Sequence, residues 1–121
     1  MVIQSKRELG SYGEKIATDF LQKNNYKIIC KNFRVGRWGE IDIIARDGEY
    51  ICFIEVKTRR GLTFGAPSEA VTKSKQANIR KLACVFLDRY DLNDSSIRFD
   101  VVEIRYKSVT DYDVNLIKNA F

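Results

Sequence analysis

The sequence predicts an α/β fold with its elements in the order α-β-β-β-α-β, and three local patterns support this prediction. Two stretches repeat apolar residues at helical spacing, and each follows a residue suited to cap a helix. Between them, two runs rich in β-branched and aromatic residues flank Asp47-Gly48, a strong short-range signal for a hairpin. We expect one domain over residues 1–121, since a chain of this length can bury one core.

The first helix is expected to begin after Ser5. Ser5-Lys6-Arg7-Glu8 matches a capping box, in which the Ser5 hydroxyl and the Glu8 carboxylate accept hydrogen bonds from backbone donors of the first turn. Apolar residues then recur at helical spacing as far as Asn24-Asn25, which offers a stop: Leu9, Tyr12, Ile16, Ala17, Phe20 and Leu21. Gly10 and Gly13 each weaken a helix by about 1 kcal/mol relative to Ala. Either the first turns fray or close packing requires the glycines.

Three strands are predicted after this helix. The first runs from Tyr26 to about Phe33, and a loop from Val35 to Gly39 follows it. The other two, Ile41–Ala45 and Tyr50–Val56, form the hairpin. The next segment, residues 58–67, is expected to be a long basic loop.

The hairpin register predicts which side chains share a face. If Asp47 and Gly48 are the two turn residues, Asp42 lies opposite Phe53 and Glu40 lies opposite Glu55. Side chains alternate along strands, so four polar residues project from one face, at the end away from the turn: Glu40, Asp42, Glu55 and Lys57. Ile44, Ile51 and Phe53 share that face nearer the turn. The opposite face must lie under a core element, because it carries Ile41, Ile43, Ala45, Tyr50, Cys52, Ile54 and Val56.

The second half of the chain predicts one more helix and one more strand. Thr72 can cap a helix that ends near Tyr90, with an apolar stripe formed by Ile79, Leu82, Ala83 and Phe86. The run from Ile97 to Tyr106 predicts the last strand, in which we expect Asp100 to be structural rather than catalytic. The tail after this strand packs as either a short helix or a further strand.

Composition narrows the classes of function. The chain has 21 Lys and Arg against 16 Asp and Glu, and its net charge of +5 suits attraction to a polyanion. The absence of histidine excludes imidazole-based triads and imidazole-ligated zinc. The sequence has three cysteines, which are far apart and form no Cys-x-x-Cys motif: Cys30, Cys52 and Cys84. We therefore expect core thiols rather than a disulfide or a zinc site. No apolar stretch suits a signal peptide or a membrane span, so we expect a cytoplasmic protein without a membrane partner.

The acidic corner of the hairpin predicts a metal site. Two carboxylates about 6 Å apart repel by roughly 3 kcal/mol at an effective dielectric constant of 20, and one lysine cannot neutralise three of them. A divalent cation can, and carboxylate oxygens are the ligands that Mg²⁺ prefers, with Mn²⁺ as a substitute. Water activated by such an ion can attack phosphorus while Lys57 orients it or stabilises the developing charge. The alternative is a surface salt-bridge cluster, which contributes about 0–1 kcal/mol and needs no function.

The motifs at this corner resemble those of a nuclease superfamily. Gly39-Glu40-Ile41-Asp42, then Glu55-Val56-Lys57 after a hairpin, resembles the split Asp and Glu-x-Lys signature of the PD-(D/E)xK restriction-endonuclease-like proteins, with Ile41 in place of the proline. The element order is similar to that superfamily's core and to archaeal Holliday-junction resolvases. Leu9-Gly10, Gly13-Glu14, the run from Phe53 to Arg59 and the run from Arg98 to Val102 further resemble the bacterial YraN family, described as nuclease-like.

The resemblance implies a fold and a set of roles. It implies a mixed sheet flanked by helices, with Asp42 and Glu55 as catalytic metal ligands and Lys57 as the catalytic lysine. Glu14 is implied as an auxiliary acid, although its position also suits a solvated helix residue. Glu40 is either a further ligand or a neighbour of the ligands.

Basic and polar residues near this corner are candidates for contacts with nucleic acid. They are Arg59, Arg60, Lys73, Lys75 and Gln76. The two arginines follow Lys57 and are placed to contact phosphates, or else they belong to a solvated loop. Lys75 and Gln76 extend the apolar stripe of the second helix toward the sheet, whereas Lys73 lies off the stripe, where a solvated face is the ordinary interpretation.

Taken with the resemblance, these residues predict a magnesium-dependent endonuclease acting on DNA, including branched or processed DNA. An enzyme that cuts a junction needs two sites, so a symmetric homodimer is expected. The alternative is a nuclease-like module that binds DNA or another protein in DNA processing without turnover. A purely structural interaction protein is a third interpretation.

Overall fold

The computed structural model describes residues 3–61 and 71–121, and in these ranges it has two helices and five strands. They are α1 (Lys6–Lys23), β1 (Lys27–Arg34), β2 (Glu40–Asp47), β3 (Tyr50–Arg60), α2 (Lys73–Arg89), β4 (Ser96–Ser108) and β5 (Asp111–Ile117). The strands form one sheet in the order β1-β2-β3-β4-β5, in which β3 and β4 are parallel and the other neighbours antiparallel. The predicted α/β class and element order are confirmed, and the tail forms a fifth strand.

Both helices begin where their capping residues predict. The Ser5 hydroxyl accepts a hydrogen bond from the backbone N–H of Glu8, and the Glu8 carboxylate accepts one from the backbone N–H of Gln4. Thr72 caps α2 by accepting from the backbone N–H of Lys75 at 3.1 Å. Over the described part of the chain, neither helix combines the length and the apolar character needed to cross a membrane.

Each face of the sheet carries one helix and one apolar cluster. On the α1 side, the buried cluster consists of Ala17, Leu21, Tyr26, Ile43, Ala45, Cys52, Ile54, Val102 and Ile104. On the α2 side, it consists of Phe33, Ile41, Ile44, Ile51, Phe53, Val71, Ile79, Leu82, Ala83, Phe86, Leu87, Phe99 and Val101. Burial of these side chains from water is the main favourable term in folding. The predicted apolar stripe of the second helix is confirmed, as is the shared face of Ile44, Ile51 and Phe53.

Ile41 is an exception to the predicted alternation. The sequence places it on the α1 side, but it belongs to the cluster on the α2 side. Ile41 pairs with Phe33 on β1, next to Asn32, whose φ of 55° is left-handed and interrupts the regular alternation of that strand.

The turn of the β2–β3 hairpin lies one residue later than predicted. Asp47 pairs with Tyr50, so the turn residues are Gly48 and Glu49. Gly48 has a φ of 59°, and the favoured two-residue turns need a positive φ at this first position. The correction shifts every cross-strand pair by two residues, and a shift of two residues changes partners without itself moving a side chain to the other face.

Strand β3 is longer than its local pattern predicts. The sequence predicts a loop from residue 58, whereas β3 continues to Arg60 because its parallel pairing with β4 extends to Arg60 and Tyr106. Residues 62–67 of the predicted loop lie outside the described residues. Parallel pairing joins segments distant in sequence, so no local pattern reveals where it ends.

Close packing explains one of the two glycines of α1. A Cβ placed on Gly13 would lie 1.7 Å from the hydroxyl oxygen of Thr58 on β3. A Cβ on Gly10 would meet nothing within 4 Å. Gly13 therefore brings α1 against the sheet near Lys57, whereas Gly10 leaves open space at the same end of the helix.

A buried polar network lies at the end of the sheet beside the turn of the β2–β3 hairpin. Asp100 is fully buried and accepts hydrogen bonds from Arg98 Nε at 2.8 Å and from the backbone N–H of Asn119 at 2.9 Å. Arg98 also donates to Asp47 at 2.8 Å, which lowers the pKa of that carboxyl. These contacts join the hairpin, β4 and the C-terminal segment, and they support a structural role for Asp100.

The three cysteines occupy different environments. Cys52 is buried in the α1-side cluster, and burial raises the pKa of its thiol to about 12. Cys30 is half-buried and Cys84 is exposed on α2. The expectation of a core thiol is therefore wrong for Cys84, which lies on the solvent side of its helix.

Candidate active site

A cleft of about 470 Å³ opens where α1, the hairpin and the first turn of α2 meet. It is lined by Lys6, Leu9, Gly10, Glu14, Glu40, Asp42, Glu55, Val56, Lys57, Thr58 and Lys75. All four polar residues predicted to share one face of the hairpin lie in this lining, and Glu14 of α1 joins them. The fold therefore brings the predicted acids and lysine to one place.

The corrected register makes Asp42 and Glu55 direct neighbours. The last recorded pair of β2 and β3 is Ile43 with Ile54, and the same register continued by one residue places Asp42 opposite Glu55. Their exposed fractions are only 8% and 5%. Two buried carboxyls side by side form an arrangement that folding alone would avoid, because each charge loses its hydration and repels the other.

The Asp42 carboxyl has a strongly altered proton affinity. Burial, a hydrogen bond shared with Glu55 and the charge of Glu55 raise the pKa of Asp42 to about 8. A hydrogen bond from the backbone N–H of Val56 to Asp42 Oδ2, at 2.8 Å, opposes this rise, as does the charge of Lys75. Near neutral pH, the pair therefore holds one proton and lacks enough positive charge to ionise fully.

Lys75 supplies positive charge to this pair from the opposite side of the cleft. Its Nζ lies 3.2 Å from Glu55 Oε2, and the Lys75 side chain is 41% exposed whereas that of Glu55 is 4% exposed. The contact is an ion pair without hydrogen-bond alignment, since Glu55 Oε2 is buried and has no hydrogen-bond partner in the described structure. Glu55 Oε2 can therefore still accept a hydrogen bond.

The two remaining predicted acids lie at the rim of the cleft. Burial, then the charges of Asp42 and Glu40, raise the pKa of Glu14, whose Oε1 is buried without a hydrogen-bond partner in the described structure. Glu14 therefore faces the other carboxyls rather than solvent alone. Glu40 accepts a hydrogen bond from Arg34 Nε at 2.9 Å, which already supplies it with a cation.

Lys57 has a buried acidic neighbour that the sequence did not single out. Glu103 on β4 pairs in register with Lys57 and is 1% exposed, with both carboxylate oxygens lacking hydrogen-bond partners in the described structure. Arg59 Nε lies 3.9 Å from Glu103 Oε1. The available signal was that Glu103 interrupts the apolar run Val101, Val102 and Ile104, but its neighbours depend on the long-range β3–β4 pairing.

Lys6 is a second lining residue that sequence reasoning missed. It lies on the first turn of α1, with Gly10 and Glu14 four and eight residues farther on, so all three share one helical face. This spacing from Glu14 was the signal that could have identified it. Lys6 therefore adds a positive charge on the wall of the cleft that α1 forms.

Of the residues predicted to contact nucleic acid, Arg60 and Gln76 hold other parts of this chain, whereas Arg59, Lys73 and Lys75 are more accessible. Arg60 donates to the backbone oxygen of Ile3 at 3.0 Å and its guanidinium lies over the Tyr106 ring, so these contacts hold the N-terminal segment. Gln76 donates to the backbone oxygen of Val71 at 3.0 Å, which braces the start of α2. Arg59 and Lys73 are exposed, and Lys75 enters the cleft.

The acids of the cleft fit a partly hydrated magnesium ion but not a complete protein cage. Over residues 3–61 and 71–121, no group of three Asp, Glu, Cys or His side chains is arranged to hold a metal ion alone. Magnesium is commonly bound by one or two carboxylates together with waters and substrate phosphates. Glu55 Oε2 has no hydrogen-bond partner in the described structure and the pKa of Asp42 is raised, and both observations indicate that the charge of Lys75 alone does not compensate the pair.

Comparison with known proteins identifies the family. The sequence profile described as "Uncharacterised protein family UPF0102" matches residues 13–104, a range that contains Glu14, Glu40, Asp42, Glu55, Lys57 and Lys75. A UPF0102 protein of Acetivibrio thermocellus is 50% identical over 121 residues, covering 97% of this chain and 93% of the relative. A UPF0102 protein of Caldicellulosiruptor saccharolyticus is 50% identical over 119 residues, covering 97% and 99%. The chain therefore belongs to the UPF0102, YraN-like family.

Proposed function

We propose that this protein is a metal-dependent endonuclease that hydrolyses phosphodiester bonds in DNA. The observation that carries the proposal is the buried pair Asp42 and Glu55, which lines a cleft together with Lys57 and Lys75. The hydrogen bond from Val56 to Asp42 and the ion pair of Lys75 with Glu55 offset only part of the cost of burying two acids side by side. A divalent cation and a phosphate would compensate them, and the surrounding lysines suit an anionic substrate.

Each residue of the cleft has a role in this proposal. Asp42 and Glu55 would hold the metal ion, which supplies Lewis acidity toward the phosphate and a nearby water when it is bound. Lys57 donates hydrogen bonds to the phosphate oxygens or holds the attacking water, as the resemblance to PD-(D/E)xK nucleases implies. Glu14 and Glu40 also line the cleft, where they would bind waters of the ion rather than complete an all-protein cage.

Cleavage assays test the proposal. The protein is incubated with Mg²⁺ or Mn²⁺ and a panel of linear, flapped and four-way branched DNAs. We expect cutting that is lost in Asp42→Asn and reduced at least 100-fold in Lys57→Ala, a loss typical of removing one stabilising donor. Asp94→Asn and Lys27→Ala are matched controls, since both residues are exposed and absent from the cleft lining. Cutting that survives Asp42→Asn and Lys57→Ala would reject the assigned site.

A DNA-binding module without turnover is the second candidate. It is favoured by the absence, among the described residues, of three acids arranged to hold a metal, and by the Lys75 ion pair on Glu55. Salt-dependent DNA affinity without cleavage of any substrate in the panel would support it. The two candidates differ in turnover alone, so the same panel distinguishes them.

A further inference from the structure

Lys75 occupies the place where the acid pair needs a cation. Its backbone is fixed by the Thr72 cap at the start of α2, and its side chain crosses to Glu55 Oε2, with Nζ at 3.2 Å. The acid is 4% exposed, whereas 41% of the lysine side chain remains in contact with solvent. The ammonium therefore lies on the solvent side of this ion pair and the carboxylate lies on the buried side.

The charge of Lys75 is insufficient for the pair it contacts. Asp42 and Glu55 are 8% and 5% exposed and can together carry two negative charges, whereas Lys75 brings one positive charge to Glu55. A divalent cation satisfies the pair better, but it would place positive charge beside an ammonium that already contacts the same Glu55 oxygen. The two cations repel at this distance, so both cannot keep that oxygen.

We propose that Lys75 changes partners when substrate binds: its ammonium neutralises Glu55 in the free protein and moves to a phosphate of the DNA when a divalent cation takes the carboxylate. The proposal rests on the proposed function and adds a linkage to it. Lys75 opposes metal binding in the absence of DNA, and metal binding releases a charge for the phosphate. Metal and DNA therefore increase each other's affinity through this one side chain.

The side chain of Lys75 suits such an exchange. A lysine ammonium is a compact charge on a flexible stem, able to contact a carboxylate or a phosphate without a fixed orientation. Its position on the first turn of α2 also keeps it close to the entrance of the cleft. The cap at this turn uses the backbone N–H of Lys75, so replacing the side chain leaves the cap intact.

Calorimetric titration of the full chain with Mn²⁺ in the absence of DNA tests the first half of the exchange. We expect Lys75→Met to bind Mn²⁺ about two- to fivefold more tightly than the unaltered protein, since an exposed ion pair no longer competes. Lys27→Met, at an exposed lysine absent from the cleft lining, should leave the affinity unchanged. Equal or weaker affinity in Lys75→Met would overturn the exchange and leave the metal site standing. No Mn²⁺ binding in any of the three proteins would overturn both.

DNA binding tests the second half. The affinity for a short branched DNA is measured by fluorescence anisotropy with and without Ca²⁺, an oxygen-binding divalent ion, and electrophoresis verifies that the DNA stays intact. The increase in affinity caused by Ca²⁺ should shrink at least threefold in Lys75→Met. Lys27→Met should leave the increase caused by Ca²⁺ unchanged, because Lys27 is exposed and absent from the cleft lining. An increase that Lys75→Met leaves unchanged would overturn the exchange.

Discussion

The carboxylate of Asp42 accepts a hydrogen bond from the backbone N–H of Val56 at 2.8 Å, just beyond the last recorded β2–β3 pair, Ile43 with Ile54. A side chain of β2 thus accepts the hydrogen bond of a backbone N–H of β3. Val56 follows Glu55 directly, so the contact also fixes the two acids relative to one another. Asp42 therefore has a structural role in addition to its proposed role as a metal ligand.

Two substitutions of Asp42 separate these roles. Asp42→Asn keeps an oxygen that can accept from Val56, whereas Asp42→Ala leaves that backbone N–H without a partner. Both remove the ionisable group of Asp42, so the difference between them reports on the hydrogen bonds of this side chain, chiefly the one from Val56. We expect Asp42→Ala to be less stable than Asp42→Asn by about 1–3 kcal/mol in urea unfolding. Equal stability of the two variants would show that the bond contributes little.

The stability of the metal-free protein should fall as the pH rises from about 4 to about 8. The pKa of Asp42 is raised to about 8 from its ordinary value of 3.8, so between these values the folded protein keeps a proton that the unfolded chain has released. The stabilisation is complete below the lower value and is lost as the pH passes through the higher one. Thermal unfolding in EDTA should show this slope, and Asp42→Asn should flatten it. An identical slope in Asp42→Asn would assign the pH dependence to other groups.

The grouping of the site could be predicted from the sequence because strand alternation has a period of two. The hairpin turn lies at Gly48 and Glu49 instead of Asp47 and Gly48, and this moves every pair by two residues. Such a shift preserves faces, so the acids and Lys57 still share the cleft. The direct neighbours of Asp42 could not be predicted, because Asp47 is held in the strand by Arg98, a contact distant in sequence.

Other features of the site depend on contacts that no local pattern contains. Because β3 pairs in parallel with β4, the start of the predicted loop, as far as Arg60, is part of a strand. The same pairing buries Glu103 beside Lys57. The ion pair of Lys75 with Glu55 depends on how α2 crosses the sheet. The stripe of the second helix predicted the direction in which Lys75 points but not its partner.

The two glycines of α1 should respond oppositely to alanine. Gly13→Ala places a methyl group 1.7 Å from Thr58 Oγ1, which forces the helix away from β3. We expect a loss of about 1–3 kcal/mol, as for other overpacked sites. Gly10→Ala enters open space, so the better helix propensity of alanine should raise stability by up to about 1 kcal/mol. Urea unfolding of both variants measures these changes. A Gly13→Ala protein as stable as Gly10→Ala would contradict the close approach of α1.

Replacing Asp100 should lower the free energy of unfolding without changing the affinity of the cleft for a metal ion. Asp100→Ala removes a fully buried acceptor and one of the two carboxylates that Arg98 contacts, so we expect a loss of about 3–5 kcal/mol. Asp94→Ala, in the exposed loop before β4, should change stability by less than about 0.5 kcal/mol. At a temperature where Asp100→Ala remains folded, its affinity for Mn²⁺ should equal that of the unaltered protein. Weakened metal binding by folded Asp100→Ala would show that the network reaches the cleft.

The metal site proposed at Asp42 and Glu55 can be located by an anomalous difference map from crystals soaked in Mn²⁺, because the map places the ion independently of activity. We expect a peak within about 2.3 Å of an oxygen of each carboxylate, with waters completing the shell. A map with no peak between Asp42 and Glu55 at saturating Mn²⁺, or with a peak only elsewhere on the molecule, would show that this pair does not hold the ion.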